Sequence, residues 1–565
     1  MALLGCRESV YRHPVTFEDT TTAVQVDRFG LAIDLLENFE EYDHQQGPAE
    51  LLKRLNRWVN EVPRKIEMVR DPLFESAAAE FAEVKQKAHL RSLTFRQEDI
   101  PFLQETVWLR EIARVASARD TRTPQLQRWC DQQRELIGDD GVTDLAIAIE
   151  LFNWTVTHLQ LEKTPAVGRR SSEIGPLPAL QREVAQAAEK KGQDEKINTV
   201  EIEAGPGEVR AVWEALILGQ ADAWERARVF MLLARQQGIP VVALAANTGH
   251  FLQPRVWSCG VLINSNVYLF DTYLGLPIPG IEGRGIATLE EVFNDVDLLR
   301  RLDLEQEGFQ YPIQQNDLQR TVALIDVAPL TQADRMRLVE SHLVAGQYLA
   351  LTISPVQIAE LLKPCQGIAA VNVWRLPFAM KKLHDRPPGA CPARDRHADL
   401  IKKLVRYNGL ISNARILHLK GRMNSSFQKP SARELYLDCR PSNREIEKLM
   451  TSPALQRQIG LDELEPKARQ IYFESIIKRK QMASYWLGVL ALEMGEYEEA
   501  IDFLGKRTLA LDVDSLWANG ARFNLARAYE QLGNTKRAQK IYREDQSPQR
   551  HGNLLRARRL ASLDE

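Results

Sequence analysis

The chain has 565 residues, which is too long for one hydrophobic core and, at roughly 150 residues per domain, predicts three or four domains. Its 44% hydrophobic and 26% charged residues are typical of globular proteins, so the composition excludes wholesale disorder. The 73 basic and 76 acidic residues give a net charge of −3, without the basic excess typical of nucleic-acid binders. We therefore expect no nucleic-acid partner.

Cysteines and motifs give no sign of a metal or a cofactor. The six cysteines are far apart, with no CxxC pair and no Cys/His pair at metal-ligand spacing, which argues against a zinc site and a disulfide scaffold. Walker-type phosphate loops, HExxH helices and GxSxG elbows are missing from the sequence. The sequence therefore predicts neither a metal nor a cofactor. The cysteines are Cys6, Cys130, Cys259, Cys365, Cys391 and Cys439.

The amino terminus allows two interpretations of localisation. No run of 18 or more apolar residues occurs, so no transmembrane span is expected. The opening residues Met-Ala-Leu-Leu-Gly-Cys resemble the end of a bacterial lipoprotein signal, which makes Cys6 a candidate for lipid attachment. Five residues are too few for a complete signal. We expect an envelope lipoprotein if a signal has been truncated, and a cytoplasmic protein otherwise.

The amino-terminal region is predicted to be helical. Apolar residues recur at three- and four-residue steps through most of residues 28–161, and Pro101 has a position typical of the first turn of a helix. Residues 144–161 are apolar around most of the helix circumference and should be buried. Residues 164–192 are rich in Pro, Gly, Ser and charge, which indicates a loop. We assign residues 1–130 to an amino-terminal helical region.

The next region, residues 131–300, has a mixed α and β pattern. Residues 213–218 lead through Gly219 into a predicted helix over 223–237, which Gly238 and Pro240 end. Strands are predicted over residues 198–203, 241–245, 256–263 and 267–270, the last two joined as a hairpin by residues 264–266.

A connecting α/β segment follows over residues 301–385. It has a possible strand over 322–325, a sequence at Thr331 to Asp334 that is typical of a capping box, and a helix that begins at Pro355. Residues 386–389 break the pattern. From residue 398 to 565 helices dominate, with a second capping box at Ser442.

An internal repeat lies near the carboxyl end. Residues 487–495 are similar to residues 525–533, and this spacing also pairs Ala500 with Ala538 and Phe503 with Ile541. The two units, at about 483–516 and 521–550, resemble tetratricopeptide repeats, although the usual period is about 34 residues. Because about three such units are needed for stability, residues 462–480 are predicted to pack beneath them. The resemblance implies a groove for a protein or peptide partner, or alternatively a helical end-cap.

The middle region resembles the transglutaminase-like, papain-related fold over residues 131–300. The resemblance depends on a helix pattern, on Trp257, and on the strand that ends at Asp271; the helix pattern consists of Gly219, Ala227, Phe230, Leu233, Arg235, Gly238, Ile239 and Pro240. Residues 219–227 and 268–280 also resemble uncharacterised large proteins of planctomycete bacteria.

Active members of this family use a cysteine thiolate at a helix start, with histidine as base and aspartate as its orienting group. Here the matching positions hold Ala223, Arg255 and Asp271. Alanine has no nucleophilic atom, and arginine cannot act as a base near neutral pH. The resemblance therefore implies a catalytically degenerate domain.

A rescued thiol site is the alternative. Cys259 follows Trp257 by two residues on the same predicted strand, and His250 lies in the preceding loop, so Cys259, His250 and Asp271 are candidates for such a site. A cysteine within an apolar strand is more often a buried small hydrophobe.

The position of the family's catalytic cleft also has candidate binding residues. We expect charged side chains to gather in this cleft and tryptophans to line it. The alternative is that Glu225 and Arg226 form an ion pair and that both tryptophans belong to the core. The candidates are Asp222, Trp224, Glu225, Arg226 and Trp257.

The sequence thus predicts a multidomain, mainly α protein with a central α+β transglutaminase-like domain and a tetratricopeptide-like carboxyl-terminal region. The predicted function is that of a non-enzymatic protein-interaction or scaffold protein. The alternatives are a cysteine-dependent hydrolase or acyl transferase that uses Cys259, and a self-assembling structural protein without a peptide partner.

Overall fold

A computed structural model gives the structure of residues 27–42, 46–62, 71–81, 89–162, 210–246, 255–384, 409–424, 430–510 and 516–564. These residues fall into two compact units. The first unit takes in Met1–Thr155, Lys163–Trp213 and Ala221–Arg394, and the second takes in Val156–Glu162, Glu214–Gln220 and Asp395–Glu565. The domain boundaries given above stay predictions.

Helices make up most of the described structure. Within it, no helix has both the length and the apolar composition that a membrane span needs. The helices are α1 (Arg28–Glu37), α2 (Gln46–Val59), α3 (Pro72–Phe81), α4 (Asp99–Ser117), α5 (Pro124–Gln132), α6 (Arg134–His158), α7 (Val212–Leu218), α8 (Ala223–Gln236), α9 (Leu289–Asn294), α10 (Asp334–His342), α11 (Pro355–Leu362), α12 (Leu376–His384), α13 (Gly409–Leu419), α14 (Ala432–Asp438), α15 (Asn443–Thr451), α16 (Pro453–Gln458), α17 (Pro466–Glu493), α18 (Tyr497–Ile501), α19 (Ala518–Gln531), α20 (Thr535–Glu544) and α21 (Arg550–Asp564).

The first unit contains a six-stranded sheet of order β6-β5-β4-β3-β7-β8, in which only β7 and β8 are parallel. A two-stranded ladder, which pairs β1 with β2, belongs mainly to the second unit. The strands are β1 (Gln160–Leu161), β2 (Gln220–Ala221), β3 (Val241–Ala246), β4 (Arg255–Ile263), β5 (Asn266–Asp271), β6 (Leu276–Pro277), β7 (Thr321–Ile325) and β8 (Ile368–Val373).

Helix caps and turns explain the elements in the central part of this unit, and most of the elements predicted there are confirmed. Asp222 accepts a hydrogen bond from the Glu225 amide and so caps α8, and Gly238, with φ of 74°, ends it. Asn264 and Ser265 both have positive φ, which suits a two-residue hairpin turn between β4 and β5.

The core beneath the sheet is aromatic. Phe152 of α6, Phe230 of α8 and Phe270 of β5 contact one another, with ring centroids 5.1–5.5 Å apart. A second core joins α1, α2, α4 and α10. Beside it, buried Arg335 forms a two-point ion pair with Asp99, whose oxygens lie 2.7 and 2.8 Å from guanidinium nitrogens. These contacts fix the amino-terminal helices against α10.

Two features of this unit differ from the predictions. The capping box at Thr331 is wrong, because Thr331 donates its hydroxyl to the carbonyl of Ala328, and α10 begins at Asp334 after an N-cap without a side-chain bond, Ala333. Strand β8, along one edge of the sheet, was not predicted.

The second unit stacks helical pairs. Helix α13 pairs with α14, the last turns of α17 pair with α18 and its continuation Asp502–Leu509, and α19 pairs with α20. The expected earlier pair is therefore α13–α14. The prediction for residues 462–480 is wrong, since these residues form a turn and the largely exposed first half of the single helix α17.

Several predictions fall outside the described residues. They are the strand over 198–203, the loop over 164–192, and the residues Cys6, His250 and Cys391.

Candidate functional site

The predicted nucleophile position lies at the start of α8. Ala223 is only 2% exposed, and its carbonyl accepts a hydrogen bond from Thr272 at 2.7 Å. The chain that follows β5 therefore lies against the amino terminus of α8. This places the residue next to Asp271 beside Ala223, and the methyl group of alanine offers no nucleophile there.

The predicted charged residues around this point are engaged inside the fold. The Glu225 carboxylate accepts hydrogen bonds from the backbone N–H of Asp222 and, at 2.6 Å, from that of Arg210, whose guanidinium also lies 3.2 Å away. Arg226 is buried and donates to the carbonyl of Thr272. Both side chains therefore form hydrogen bonds inside the fold.

Asp271 ends β5 and organises the next turn. One carboxylate oxygen accepts hydrogen bonds from the amides of Tyr273 and Leu274, and the other accepts one from the Tyr311 hydroxyl at 2.6 Å. Burial raises the pKa of Asp271 to about 6, against the effect of these donors. Asp271 therefore stabilises the turn that follows β5, and both of its carboxylate oxygens already accept hydrogen bonds.

Strand β4 carries the remaining predicted residues. Arg255 begins the strand, while Trp257 and Cys259 are buried within it. The indole N–H groups of Trp224 and Trp257 have no hydrogen-bond partner in the described chain. Cys259 is fully buried, and this burial raises the pKa of its thiol well above the usual range. A thiolate at Cys259 is therefore strongly disfavoured.

A separate buried cluster lies in the second unit, where the carboxyl ends of several helices meet. His158 ends α6, His418 is near the end of α13, and Glu493 ends α17. The Glu493 carboxylate lies 2.6 Å from His418 Nε2 and 3.1 Å from His158 Nε2. A carboxylate at a helix carboxyl terminus is unfavourable on its own, because that end of the helix carries partial negative charge. The contacts with the two imidazoles offset this cost.

Arg415 completes this cluster. Its guanidinium donates twice to the carbonyl of Leu216, at the end of α7, and lies 3.6 Å from the centre of the Trp486 ring. Another of its nitrogens is 3.2 Å from His158 Nδ1. Because a guanidinium can only donate, His158 Nδ1 must accept, and the ring proton resides on Nε2 facing Glu493. Burial lowers the pKa of His158 to about 3 and keeps it neutral.

The same three side chains have the composition of a metal site. Their nearest ligand atoms lie within 4.8 Å of one another, and two histidines with one glutamate are a zinc-type donor set. A metal on His158 Nε2 would move the proton to Nδ1, where it would face the donating nitrogen of Arg415. The geometry therefore fits a buried hydrogen-bonded cluster better than a metal centre. Sequence spacing gave no signal for it, because the residues are far apart in the chain.

The helical pairs at the carboxyl end pack closely at small residues. Gly495 and Gly533, both with positive φ, turn the chain between the two helices of successive pairs. A Cβ atom on Gly488 would lie 2.5 Å from the Leu504 side chain, so α17 and the helix after α18 are in close contact. Ala500 and Ala538 are fully buried at corresponding positions.

Comparison with known families bears on the last of these pairs. Residues 520–544 match the family model of the tetratricopeptide repeat. The match covers most of α19 and all of α20, so this pair is similar to a tetratricopeptide repeat. No curated protein and no solved structure matches the chain.

The second helix of this repeat carries positive charge on its exposed side. Lys536, Lys540 and Arg543 follow at steps of four and three residues, which places them on one face of α20. Lys540 lies 3.8 Å from Glu544. Lys536 and Arg543 make no ion pair within the described part of the chain. We call Lys536, Lys540 and Arg543 the basic face.

Proposed function

We propose that the protein is a non-enzymatic interaction protein whose carboxyl-terminal helical region binds an acidic segment of a protein partner. The observation that carries this proposal is the basic face on the repeat matched by residues 520–544. A tetratricopeptide repeat is consistent with a protein-interaction role.

Charge complementarity gives the class of partner. The chain as a whole has a net charge of −3, whereas α20 has four basic residues against one acidic residue. The fourth basic side chain, Arg537, donates a hydrogen bond to the Tyr529 hydroxyl at 3.2 Å. The three side chains of the basic face are exposed to solvent. An acidic helix or extended segment would gain contacts with these charges and would associate faster at low salt.

The test uses a triple variant of the full chain, Lys536→Glu, Lys540→Glu and Arg543→Glu. The probes are fluorescent 15-residue peptides with leucine and glutamate at helical spacing, and the same peptides with lysine in place of glutamate. Exposed pairs contribute roughly 0.2–1 kcal/mol each, so the triple variant should bind the acidic peptide at least about tenfold more weakly by anisotropy.

The matched control reverses three exposed basic residues elsewhere in the same unit, Arg444→Glu, Lys448→Glu and Arg457→Glu. This control should bind as the wild type does. Equal binding by all three proteins, or no binding of the acidic peptide by the wild type, would refute the proposal.

For the first unit we propose a catalytically degenerate transglutaminase-like domain. Supporting observations are the capped helix that begins at Ala223, the antiparallel strands after it, and the position of Asp271 after β5. With alanine at the nucleophile position, the family's thiol chemistry has no attacking atom. The former cleft would then contribute structure or binding surface.

The likeness to planctomycete proteins and the lipid anchor at Cys6 stay predictions. Intact-protein mass spectrometry of material from its native membrane fraction tests the anchor: an added diacylglyceryl and acyl mass on Cys6 supports it, and an unmodified cysteine refutes it.

A further inference from the structure

Two short segments from the amino-terminal part of the chain belong to the second unit. One is residues 156–162, which contain the end of α6 and β1, and the other is residues 214–220, which contain most of α7 and the first residue of β2. We call these two stretches the docked segments. The rest of the unit, residues 395–565, contains the helical pairs. The helical pairs are therefore packed with pieces of chain that come far before them in the sequence.

The first helix of the first pair, α13, binds both docked segments. Its Arg415 donates two hydrogen bonds, of 2.9 and 3.0 Å, to the carbonyl of Leu216 in the last turn of α7. Carbonyls at a helix carboxyl end lack intrahelical partners and carry partial negative charge, so a guanidinium caps them well. The same buried side chain lies 3.2 Å from Nδ1 of His158 in the other docked segment.

The first helix of the second pair, α17, packs against a glycine of the docked segments. Gly219 follows α7 with a φ of 69°, and a Cβ atom on it would lie 2.5 Å from the Trp486 ring. Glu493, at the end of α17, lies 3.1 Å from Nε2 of His158. Glycine therefore suits position 219 for two reasons, the positive φ and the close approach of α17.

The first helix of the third pair, α19, binds the segment over residues 156–162. The side chain of Gln160 accepts a hydrogen bond from the backbone N–H of Gly520 at 2.9 Å and donates one to the carbonyl of Leu516, just before α19. Asn524, about one turn further along, donates to the carbonyl of Thr157 at 3.0 Å. Gln160 and Asn524 are both buried, so loss of these bonds would leave buried polar groups unsatisfied.

These contacts come from corresponding helices of three successive pairs. A stack of helical pairs places such helices side by side, and repeat proteins use the extended surface that results to bind ligands. We infer that the docked segments are an internal ligand of the helical stack. Their contacts hold the amino-terminal and carboxyl-terminal parts of the polypeptide together without the covalent link between them.

This surface is thereby taken by the chain itself. An external partner is left the second helices of the pairs, and the basic face lies on one of these, α20. The internal ligand does not depend on the basic face. Because its test measures only how firmly two parts of the chain associate, a negative result would leave the proposed function in place.

The experiment cuts the full chain where it enters the second unit. A protease site within a glycine-serine linker is inserted between Arg394 and Asp395, and the amino-terminal piece, which includes both docked segments, is fixed to beads by a tag. After cleavage, release of the carboxyl-terminal piece into the wash is measured against time. The wild type should retain this piece through about an hour of washing and release it in denaturing urea.

Two glycine variants make the test specific to the docked segments. Gly219→Ala places a methyl group against Trp486, whereas Gly138→Ala adds one where nothing lies within 4 Å, also at a positive φ, 74°. Both variants carry the strain of alanine at positive φ, so they differ in the contact with α17. Gly219→Ala should release the carboxyl-terminal piece at least about tenfold faster than Gly138→Ala does.

A second variant keeps the test decisive if Gly219→Ala does not fold, which circular dichroism of the uncut proteins shows. Gln160→Leu keeps a side chain of similar size and loses both hydrogen bonds with the start of α19, so its release should also be faster than that of Gly138→Ala. Complete loss of the carboxyl-terminal piece from the cut wild type in the first wash would overturn the inference. Equal release rates from all three variants would do the same.

Discussion

The carboxylate of Glu493 lies 2.6 Å from Nε2 of His418, although 74 residues separate them in the chain. Both side chains are buried, and Arg415 supplies the compensating positive charge in the same cluster. Within the second unit, one set of polar contacts therefore fixes the last residue of α6 and the carboxyl ends of α13 and α17.

Removal of Glu493 should destabilise the second unit strongly. Glu493→Ala removes the carboxylate that His158 and His418 share and the negative charge near the buried Arg415 cation, and removing one partner of buried charged groups costs about 3–5 kcal/mol. Urea unfolding followed by circular dichroism measures the change, and hydrogen exchange of peptides from α17 localises it. The control Glu498→Ala, on the exposed side of α18, should change the free energy of unfolding by less than about 0.5 kcal/mol. Equal effects of the two substitutions would contradict this role of the cluster.

The stability of the same unit should fall on acidification below about pH 6.5. The folded pKa of His158 is lowered to about 3, so only the unfolded chain takes up this proton between the two pKa values. The pKa of Glu493 is also lowered, by its histidine partners, and its contribution is lost as pH falls below about 4.5. Each group contributes a slope of at most about 1.4 kcal/mol per pH unit. Urea titrations from pH 7.5 to 4 measure it, and the slope should be smaller in His158→Gln; a pH-independent free energy of unfolding would exclude this assignment.

Gly488 should not tolerate a methyl group. Alanine normally stabilises a helix interior relative to glycine by about 1 kcal/mol, but here its Cβ would lie 2.5 Å from Leu504. We expect Gly488→Ala to cost about 1–3 kcal/mol from overpacking. Gly409→Ala, where the added methyl meets nothing within 4 Å, is the control and should be neutral or stabilising. Thermal unfolding compares them, and a raised melting temperature for Gly488→Ala would show that the helices are less closely packed.

Much of the first unit could be predicted because its signals are local. Asp222 before α8 and Gly238 after it define that helix, and the short polar connection over residues 264–266 indicates the hairpin of β4 and β5. Strand β8 gives no such signal, since it is an edge strand with few buried side chains and its partner β7 is distant in sequence. The capping-box prediction at Thr331 is wrong because the Thr331 hydroxyl donates to the carbonyl of Ala328, a local bond that competes with capping.

In the second unit the sequence predicts the repeat, but it does not predict the buried cluster around Glu493. Gly495 and Gly533 recur with the repeat, so the sequence shows them. His158, His418 and Glu493 come together only through tertiary packing, and no spacing rule relates them. Residues 462–480 were misassigned because an exposed amphipathic half-helix has the same periodicity as a buried one.

Cys259 should be unreactive in the folded protein. In a background where Cys6 and Cys391 are serine, the four remaining cysteines are all buried. Labelling with a thiol reagent at pH 8 should be at least about 100-fold slower in the folded protein than in urea. Rapid uptake of one equivalent that is lost in Cys259→Ser would instead favour the cysteine-dependent enzyme.

The central claim is that the carboxyl-terminal helical region binds a protein partner through the basic face. Quantitative mass spectrometry of proteins captured from native extract tests this claim most directly, with the wild type, the triple variant at Lys536, Lys540 and Arg543, and the control at Arg444, Lys448 and Arg457 as baits. We predict at least one protein with an acidic segment that is retained by the wild type and the control and reduced at least tenfold on the triple variant. Capture of the same proteins in equal amounts by all three baits would contradict the account.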